Sequence, residues 1–244
     1  MKSKKEFYEK YWQKREKDGR LHTKDGMWIP SRINIAANMI IKDFSDKRRD
    51  PIFVFDIGCG EGTLGKILKE KLNDKVFVIG CDISTIALKN AKCYYDEIYE
   101  IDIESNEFLE ISKRYKFDYI VALEVLEHLF DPSNLIKNFF KILKEDGYLI
   151  ASFPNMVWYK YRIDMLKGYF PKNYLFYPGE HIQNFKLYSF YSLLEENHFS
   201  PIDLDGQFIY PRIFRPTKLF ESIIRKWPSL FGYQLVIKSK KVQK

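Results

Sequence analysis

The sequence predicts an α/β fold in which a doubly wound, largely parallel sheet has helices on both faces. Short apolar strands alternate with amphipathic helices across residues 52–153, and this alternation favours parallel strands that are covered on both sides. The length of 244 residues suffices for one large domain with a full core. Ligands of such sheets bind beyond the carboxyl ends of the strands, so functional residues are expected at those ends.

The predicted elements follow one another in a regular order. A helix at residues 4–18 places Tyr8, Tyr11 and Trp12 on one face, and a second helix, capped by Ser31, runs to about residue 44. Strands are expected at residues 52–57, 76–81, 97–101, 117–123, 147–153, 200–206 and 231–238. Further helices are expected at residues 62–72, 84–93, 105–112, 132–144 and 187–197. The tail from residue 238 is expected to fray.

Start signals support two of these helices, and the whole chain divides into four regions of one domain. Ser84 is a predicted N-cap, and Asp131 is another, followed by Pro132 at the first helical position. The regions are an N-terminal helical lid region, a ligand-binding core, an aromatic insertion and a C-terminal helix with strands, at residues 1–50, 51–153, 154–186 and 187–244. The aromatic face of the first helix either docks it on the domain or covers a ligand.

The net charge of +7 is concentrated in the two ends of the chain. Residues 1–50 carry 14 Lys and Arg against 8 Asp and Glu, and residues 201–244 carry 9 against 3. A basic excess serves either solubility or a partner with phosphate groups. Because no dense basic run appears, solubility is the favoured interpretation.

The cysteines and the apolar segments indicate a cytoplasmic protein. The three cysteines are an odd number without paired metal-ligand spacing, so we expect reduced thiols and predict no metal site. No segment approaches the roughly 20 apolar residues of a membrane span, and the N-terminus leads into no apolar signal segment.

A glycine-rich segment, residues 56–62 (DIGCGEG), joins the first strand of the core to a helix. Its glycines permit positive φ and close approach of a ligand to the backbone, and the helix start offers free N–H groups. A dinucleotide fingerprint has the spacing G-x-G-x-x-G, whereas this segment has G-x-G-x-G after Asp56. A carboxylate at that position repels a pyrophosphate and attracts an ammonium group.

Acidic residues also end the next three strands. Asp82 follows the second strand, where a carboxylate can accept hydrogen bonds from both hydroxyls of a ribose. Asp102 follows the third strand and could accept from an adenine amino group, and Glu124 follows the fourth. Acids at four successive strand ends indicate a ligand-binding edge of the sheet. Four unrelated helix caps would explain them less well.

These segments, together with residues 117–129 (FDYIVALEVLEHL), resemble the class I S-adenosylmethionine-dependent methyltransferases, which have a Rossmann-like fold. The resemblance covers residues 52–155 and is strongest to the small-molecule branch, including the ubiquinone-type O-methyltransferases. It implies a seven-stranded sheet with an antiparallel last strand between the fifth and the sixth.

The resemblance also implies which residues bind S-adenosyl-L-methionine. Asp56, Gly58 and Gly60 would face the methionine part, Asp82 the ribose, and Asp102 with Ile103 the adenine. The turn at Leu123 and Glu124 would lie beside the methyl sulfonium, and His128 would pack beside the cofactor. The full predicted set is Asp56, Gly58, Cys59, Gly60, Gly62, Asp82, Ile83, Asp102, Ile103, Leu123, Glu124 and His128.

The aromatic insertion is expected to set the methyl acceptor. Its length exceeds an ordinary connection, so we expect a pocket wall or a lip that contacts a membrane surface; a small satellite core is the alternative. Residues 152–155 (SFPN) and 180–182 (EHI) resemble the methionine-biosynthesis protein W family and surface-sugar methyltransferases. That resemblance makes His181 the best general base, although a lone histidine also serves structural roles.

The leading hypothesis is a methyltransferase (EC 2.1.1.-) that acts on a hydroxyl of a sugar or of another small or carrier-linked molecule. An RNA methyltransferase that uses the basic ends is one alternative, and a non-catalytic methyltransferase-like partner protein is another. The absence of Asn-Pro-Pro-Tyr and of a Pro-Cys nucleophile counts against a nucleic-acid substrate.

Overall fold

The computed structural model describes residues 4–24, 27–44, 51–105, 107–111, 113–170, 181–209, 222 and 225–242. Within these residues, the strands are β1 (Ile52–Ile57), β2 (Val76–Asp82), β3 (Glu97–Glu100), β4 (Phe117–Leu123), β5 (Leu143–Pro154), β6 (Phe199–Phe208) and β7 (Gly232–Lys241). The α-helices are α1 (Lys4–Lys17), α2 (Ser31–Asp43), α3 (Thr63–Leu72), α4 (Thr85–Ala91), α5 (Phe108–Ile111), α6 (Pro132–Ile142), α7 (Tyr159–Leu166), α8 (Leu187–Glu196) and α9 (Pro228–Phe231).

The described strands form one seven-stranded sheet in the order β3-β2-β1-β4-β5-β7-β6. β1 to β5 are parallel to one another, and β7 is antiparallel to both β5 and β6. Ile57 at the end of β1 is paired with Cys81 of β2 and with Ala122 of β4, so these three strands end at one edge. The predicted fold class, including the antiparallel last strand between the fifth and the sixth, is confirmed.

A buried cluster lies on each face of the sheet because alternate residues of the central strands point in opposite directions. Val54 of β1 packs with residues of α2 and α3, including Ile40 and Leu68. Its neighbour Phe55 belongs to the other cluster, which contains Phe139 of α6 and Phe190 of α8. Helices therefore cover both faces, as parallel strands require.

The predicted caps are confirmed in two of three cases. Ser84 Oγ accepts a hydrogen bond of 3.2 Å from Ala87 N, and Asp131 Oδ1 accepts one of 3.0 Å from Asn134 N. The prediction for Ser31 is wrong, because Ser31 is already the first helical residue and Pro30 occupies the N-cap position. Proline is compatible there because the N-cap residue has a non-helical backbone, here with a ψ of 132°.

The C-terminal strand continues where the sequence predicts fraying. β7 extends to Lys241, which is paired with Phe199 of β6, and the Lys241 ammonium donates to Leu143 O at 3.1 Å. The side chain of Lys238 is also buried and forms an ion pair with Asp43. Two neighbouring strands and these lysine contacts hold the segment, so the predicted fraying is wrong for residues 238–241.

The first helix is held against the edge where the parallel strands end. The Glu9 carboxylate accepts hydrogen bonds from Thr85 N at 2.7 Å and from Ser84 Oγ at 3.1 Å, at the start of α4. Lys4 forms an ion pair of 2.8 Å with Glu104 beyond β3.

Among the described helices, none combines the length and apolarity that a membrane span requires.

Candidate functional site

A cavity of about 390 Å³ lies at the carboxyl ends of the parallel strands, within the usual size range of small-molecule sites. All of the predicted cofactor-binding residues except Gly62 line it. Residues of α1 and α2 complete its wall, and these are Lys4, Phe7, Tyr8, Tyr11, Trp12, Arg15, Arg32 and Ile33. The structure thus brings the acidic strand ends, the glycine-rich segment and the aromatic face of the first helix into one place.

The glycine-rich segment turns sharply beside the cavity. Gly58 and Gly60 have φ values of +67° and +54°, in the left-handed region that favours glycine. A Cβ atom on Gly60 would lie 2.7 Å from Cζ2 of Trp12, so the first helix approaches the bare backbone at this point. Gly62 lies outside the cavity lining, where it is the N-cap of α3 and lies against Ala91 of α4.

Asp56 is buried at the base of the cavity, with 4% of its surface exposed. The Tyr95 hydroxyl donates a hydrogen bond of 2.6 Å to Asp56 Oδ2. Burial raises the pKa of Asp56 to about 7, although the Tyr95 hydrogen bond acts in the opposite direction. The carboxyl is therefore poised between its two protonation states near neutral pH, and a nearby cationic group would favour the ionised form.

Asp82, at the end of the neighbouring strand β2, forms hydrogen bonds to the backbone of the glycine-rich turn and of the segment that follows β2. Its Oδ2 accepts a hydrogen bond of 3.0 Å from Gly60 N, and its Oδ1 accepts one of 2.9 Å from Ser84 N. Burial raises the pKa of Asp82, and these backbone hydrogen bonds counteract the rise. A carboxylate offers about four acceptor positions, so about two remain for the hydroxyls of a ligand.

Asp102 and Ile103 line a more open part of the cavity beyond β3. Asp102 Oδ1 accepts from Glu104 N at 3.0 Å and lies 4.0 Å from the Lys4 ammonium, with 43% of the side chain exposed. The sequence places this acid at the end of the third strand, but β3 ends at Glu100, so Asp102 lies on the following loop.

Glu124 occupies a strained turn directly after β4. Its φ of +56° is uncommon for a non-glycine residue, and such strain is often retained at functional sites. Its carboxylate accepts hydrogen bonds from Ser152 Oγ at 2.8 Å and from Gln234 Nε2 at 3.0 Å. Burial raises the pKa of Glu124, whereas the charge of Arg32 and these two hydrogen bonds lower it.

His181 lies outside the cavity lining but contacts the wall through His128. The two imidazole rings are 5.1 Å apart between centroids, and His181 Nε2 is 3.9 Å from Glu127 Oε1. The N–H of Ile182 donates to Glu127 O at 2.7 Å and thereby fixes the two segments to each other. Burial lowers the pKa of His181, so the neutral imidazole is favoured near pH 7.

Several of these residues carry no local signal in the sequence. Tyr95 and Gln234 hydrogen-bond Asp56 and Glu124 from distant positions of the chain. Ser152 belongs to the quoted segment SFPN, but its hydrogen bond to Glu124 follows from the pairing of β4 and β5. Glu127 belongs to the quoted motif, yet its contact with His181 depends on the return of a distant loop. In the sequence, the only indication of a role for Arg32 is its positive charge on a helix that precedes the first strand of the core.

The described part of the aromatic insertion forms a small separate core. Trp158 and Tyr161 are buried against Tyr233 and Ile209, and the Trp158 indole N–H donates to Ile209 O at 3.1 Å. No described residue of positions 154–170 lines the cavity. The satellite-core alternative therefore fits this part, while residues 171–180 of the predicted pocket wall lie outside the described residues.

Known proteins match this chain in sequence and in fold. A ubiquinone biosynthesis O-methyltransferase from Pelagibacter ubique is 33% identical over 151 residues, 59% of this chain and 59% of that protein. A protein of the same name from Bradyrhizobium diazoefficiens is 36% identical over 106 residues, 43% of this chain and 41% of that protein. The chain thus spans about half the length of these relatives.

A solved structure shares the whole architecture. Magnesium protoporphyrin IX methyltransferase from Synechocystis PCC 6803, with bound SAH, superposes with a TM-score of 0.61 at 18% identity, covering 98% of this chain and 100% of that one. At this identity the likeness shows the fold alone.

A family model described as a methyltransferase domain matches residues 34–204, which is more than half of the chain. The chain therefore belongs to this family of methyltransferase domains, and its cofactor is S-adenosylmethionine.

Proposed function

We propose that the chain methylates a hydroxyl group of a small or carrier-linked molecule, such as a sugar. The observation that carries this proposal is the position of His181, a half-buried imidazole whose lowered pKa keeps it neutral, next to the cavity wall at His128. A hydroxyl must lose its proton during methyl transfer, and a neutral imidazole near the cavity can accept it. The O-methyltransferase names of the sequence relatives support the same class of reaction.

The residues of the cavity fit S-adenosylmethionine. The buried Asp56 carboxylate suits the ammonium of the methionine part, and Gly58 and Gly60 line the cavity beside it. Asp82 keeps acceptor positions for the ribose hydroxyls, and Asp102 with Ile103 would meet the adenine. The turn at Glu124 would then lie beside the sulfonium, where its carboxylate is oriented by Ser152 and Gln234.

The reaction depends more on the alignment of the two reactants than on a strong acid or base. When bound, S-adenosylmethionine supplies an activated methyl group on a sulfonium. In the transfer, the acceptor oxygen would bond to the methyl carbon as the carbon–sulfur bond breaks, and His181 would take the hydroxyl proton. Holding the two reactants in line removes a large part of the barrier.

The pairing of three basic groups of the first helix weighs against RNA binding by that helix. Lys4 forms an ion pair with Glu104 at 2.8 Å, Lys5 with Glu100, and Arg15 with Glu61 at 3.5 Å. Their charges are thus neutralised within the chain rather than offered to phosphates. RNA binding relies on unneutralised Lys and Arg groups and is strongly dependent on salt.

The proposal is tested with purified protein, labelled S-adenosylmethionine and fractionated cell extract. We expect S-adenosylhomocysteine release together with a labelled, low-molecular-weight product whose methyl group is on oxygen by mass spectrometry. The Asp82→Ala variant is the matched negative control. Label in RNA, or on nitrogen or carbon, would contradict the proposal, and cofactor binding without any product would favour the non-catalytic partner.

A further inference from the structure

We propose that Tyr95 is a positioning residue for the cofactor, because its hydroxyl orients the Asp56 carboxylate and favours the ionised form that receives the ammonium of S-adenosylmethionine. No sequence motif indicates this role. Tyr95 does not line the cavity, so it acts on the cofactor through Asp56. The inference rests on the position proposed above for the ammonium, beside Asp56, and it involves neither the acceptor nor His181.

Three glycines provide the space that the ring of Tyr95 occupies. A Cβ atom on Gly65 would lie 2.6 Å from Cε2 of the ring, one on Gly80 would lie 2.9 Å from Cδ1, and one on Gly62 would lie 3.1 Å from Cε2. A larger residue at Gly65 or Gly80 would therefore displace the ring. The ring is also buried, so its hydroxyl has a defined position.

A second hydrogen bond directs the hydroxyl of Tyr95 at Asp56. Gly65 N donates to the hydroxyl oxygen at 3.2 Å, and the hydroxyl donates to Asp56 Oδ2 at 2.6 Å. Because the oxygen accepts from the backbone, its own proton is available to the carboxylate. Among the described residues, none donates a hydrogen bond to Oδ1 of Asp56, and Asp56 lines the cavity, so this oxygen remains for the ligand.

The surroundings of Asp56 make this hydrogen bond decisive for its charge. Burial and the charge of Asp82 raise the pKa of Asp56, and the hydrogen bond from Tyr95 lowers it. The other titratable neighbours are the thiols of Cys59 and Cys81, and burial raises the pKa of both, so they stay neutral. Before a cationic ligand binds, the contact with Tyr95 is therefore what favours the carboxylate.

Cofactor binding should then release a proton from Asp56 to the solvent. Near pH 7 about half of the unliganded molecules carry this proton, because the pKa of Asp56 is about 7, and the bound ammonium favours the ionised form. Without the Tyr95 hydroxyl, the pKa rises further and more molecules carry the proton. The resulting loss of affinity is greatest at low pH, where every molecule must lose the proton on binding, and it diminishes as the pH rises through the pKa of Asp56.

Calorimetry with S-adenosylmethionine, in buffers of different ionisation enthalpy, measures the protons released per cofactor bound. At pH 7 we expect about half a proton for the wild type and close to one for Tyr95→Phe. The Kd of the variant should be about fivefold weaker at pH 6, because a hydrogen bond to a charged group is stronger than one to a neutral group, and the difference should narrow at pH 7.5. Any proton lost by the cofactor itself cancels between the two proteins.

Tyr119→Phe is the matched control. Its hydroxyl donates a hydrogen bond of 2.8 Å to Asp43 Oδ2, and neither residue lines the cavity. The control therefore loses the same kind of bond, from a tyrosine to an aspartate, away from the cofactor. Proton release and Kd should equal those of the wild type at each pH.

A second variant and a second ligand keep the test decisive. Gly65→Ala retains the hydroxyl of Tyr95 but displaces the ring, so it should raise proton release as Tyr95→Phe does, even where the latter folds poorly. The ligand 5′-methylthioadenosine lacks the ammonium and should release no proton from the wild type.

Two results would overturn the inference. Wild-type proton release in both variants, with a loss of affinity that is equal at every pH, would mean that Tyr95 only fills space. Equal proton release by 5′-methylthioadenosine and S-adenosylmethionine would mean that the ammonium does not lie beside Asp56. Because no acceptor takes part, a failure of the proposed hydroxyl methylation would leave these results unchanged.

Discussion

The hydroxyl of Tyr95 donates a hydrogen bond of 2.6 Å to the carboxylate of Asp56, and both residues are buried. The same hydroxyl accepts from Gly65 N at 3.2 Å, which connects the carboxylate to the first turn of α3. This single neutral donor compensates only part of the cost of burial, so the pKa of Asp56 remains raised, at about 7. The ligand-free site thus contains a destabilising group whose charge suits a cationic ligand.

The Asp56→Asn substitution is therefore expected to stabilise the ligand-free protein and to weaken cofactor binding. The folded-state pKa of about 7 exceeds the unfolded value of 3.8, so the wild type loses stability as pH rises from about 4 to 7. The variant should lack that loss and gain up to about 4 kcal/mol at pH 8, because one pKa unit corresponds to about 1.4 kcal/mol. Urea unfolding at pH 5 and pH 8, with calorimetry of cofactor binding, measures both effects. Equal stability curves would show that Asp56 is ordinarily ionised.

The Asp82→Ala substitution should weaken cofactor binding by about 1–3 kcal/mol, the usual cost of losing hydrogen bonds to a charged group. It also removes the acceptors of Gly60 N and Ser84 N, so some of the loss would come from the loop. Asp82→Asn separates the two contributions, because its amide oxygen can still accept one of these bonds. Unchanged affinity by calorimetry in both variants would remove Asp82 from the ribose site.

The sequence predicts which residues lie at the edge of the sheet better than it predicts the contacts between distant segments. Asp56 and Asp82 could be located because they follow apolar strands, and parallel strands end at the same edge. The hydrogen bond from Tyr95 and the approach of His181 to Glu127 depend on packing between distant segments, for which single residues carry no periodic signal. The fraying predicted for the tail was wrong for the same reason, since the partners of Lys238 and Lys241 lie far away in the sequence.

Glu9 offers a test of how the first helix controls the cavity. Its carboxylate accepts from Thr85 N at 2.7 Å and from Ser84 Oγ at 3.1 Å, and thereby holds the aromatic face of α1 over the site. The Glu9→Ala substitution should speed cofactor release severalfold and expose α1 to proteolysis, with a loss of stability of about 1 kcal/mol. Stopped-flow displacement of the cofactor measures the release rate. Glu16→Ala is the control, because Glu16 is an exposed residue of the same helix. Equal release from the two variants would show that α1 is not a lid.

The His181→Ala substitution should lower turnover without weakening cofactor binding, because His181 lies behind His128 and outside the cavity lining. Burial lowers the pKa of His181, so as a base it would remain active below pH 6.5, and the wild-type rate should fall only at more acidic pH. The measurement is the pH profile of kcat for both proteins, together with the Kd of S-adenosylmethionine. His198→Asn serves as the control, since His198 contacts Phe140 and neither residue lines the cavity. An unchanged kcat would assign His181 a structural role, whereas a weaker Kd with normal kcat would place it with the cofactor.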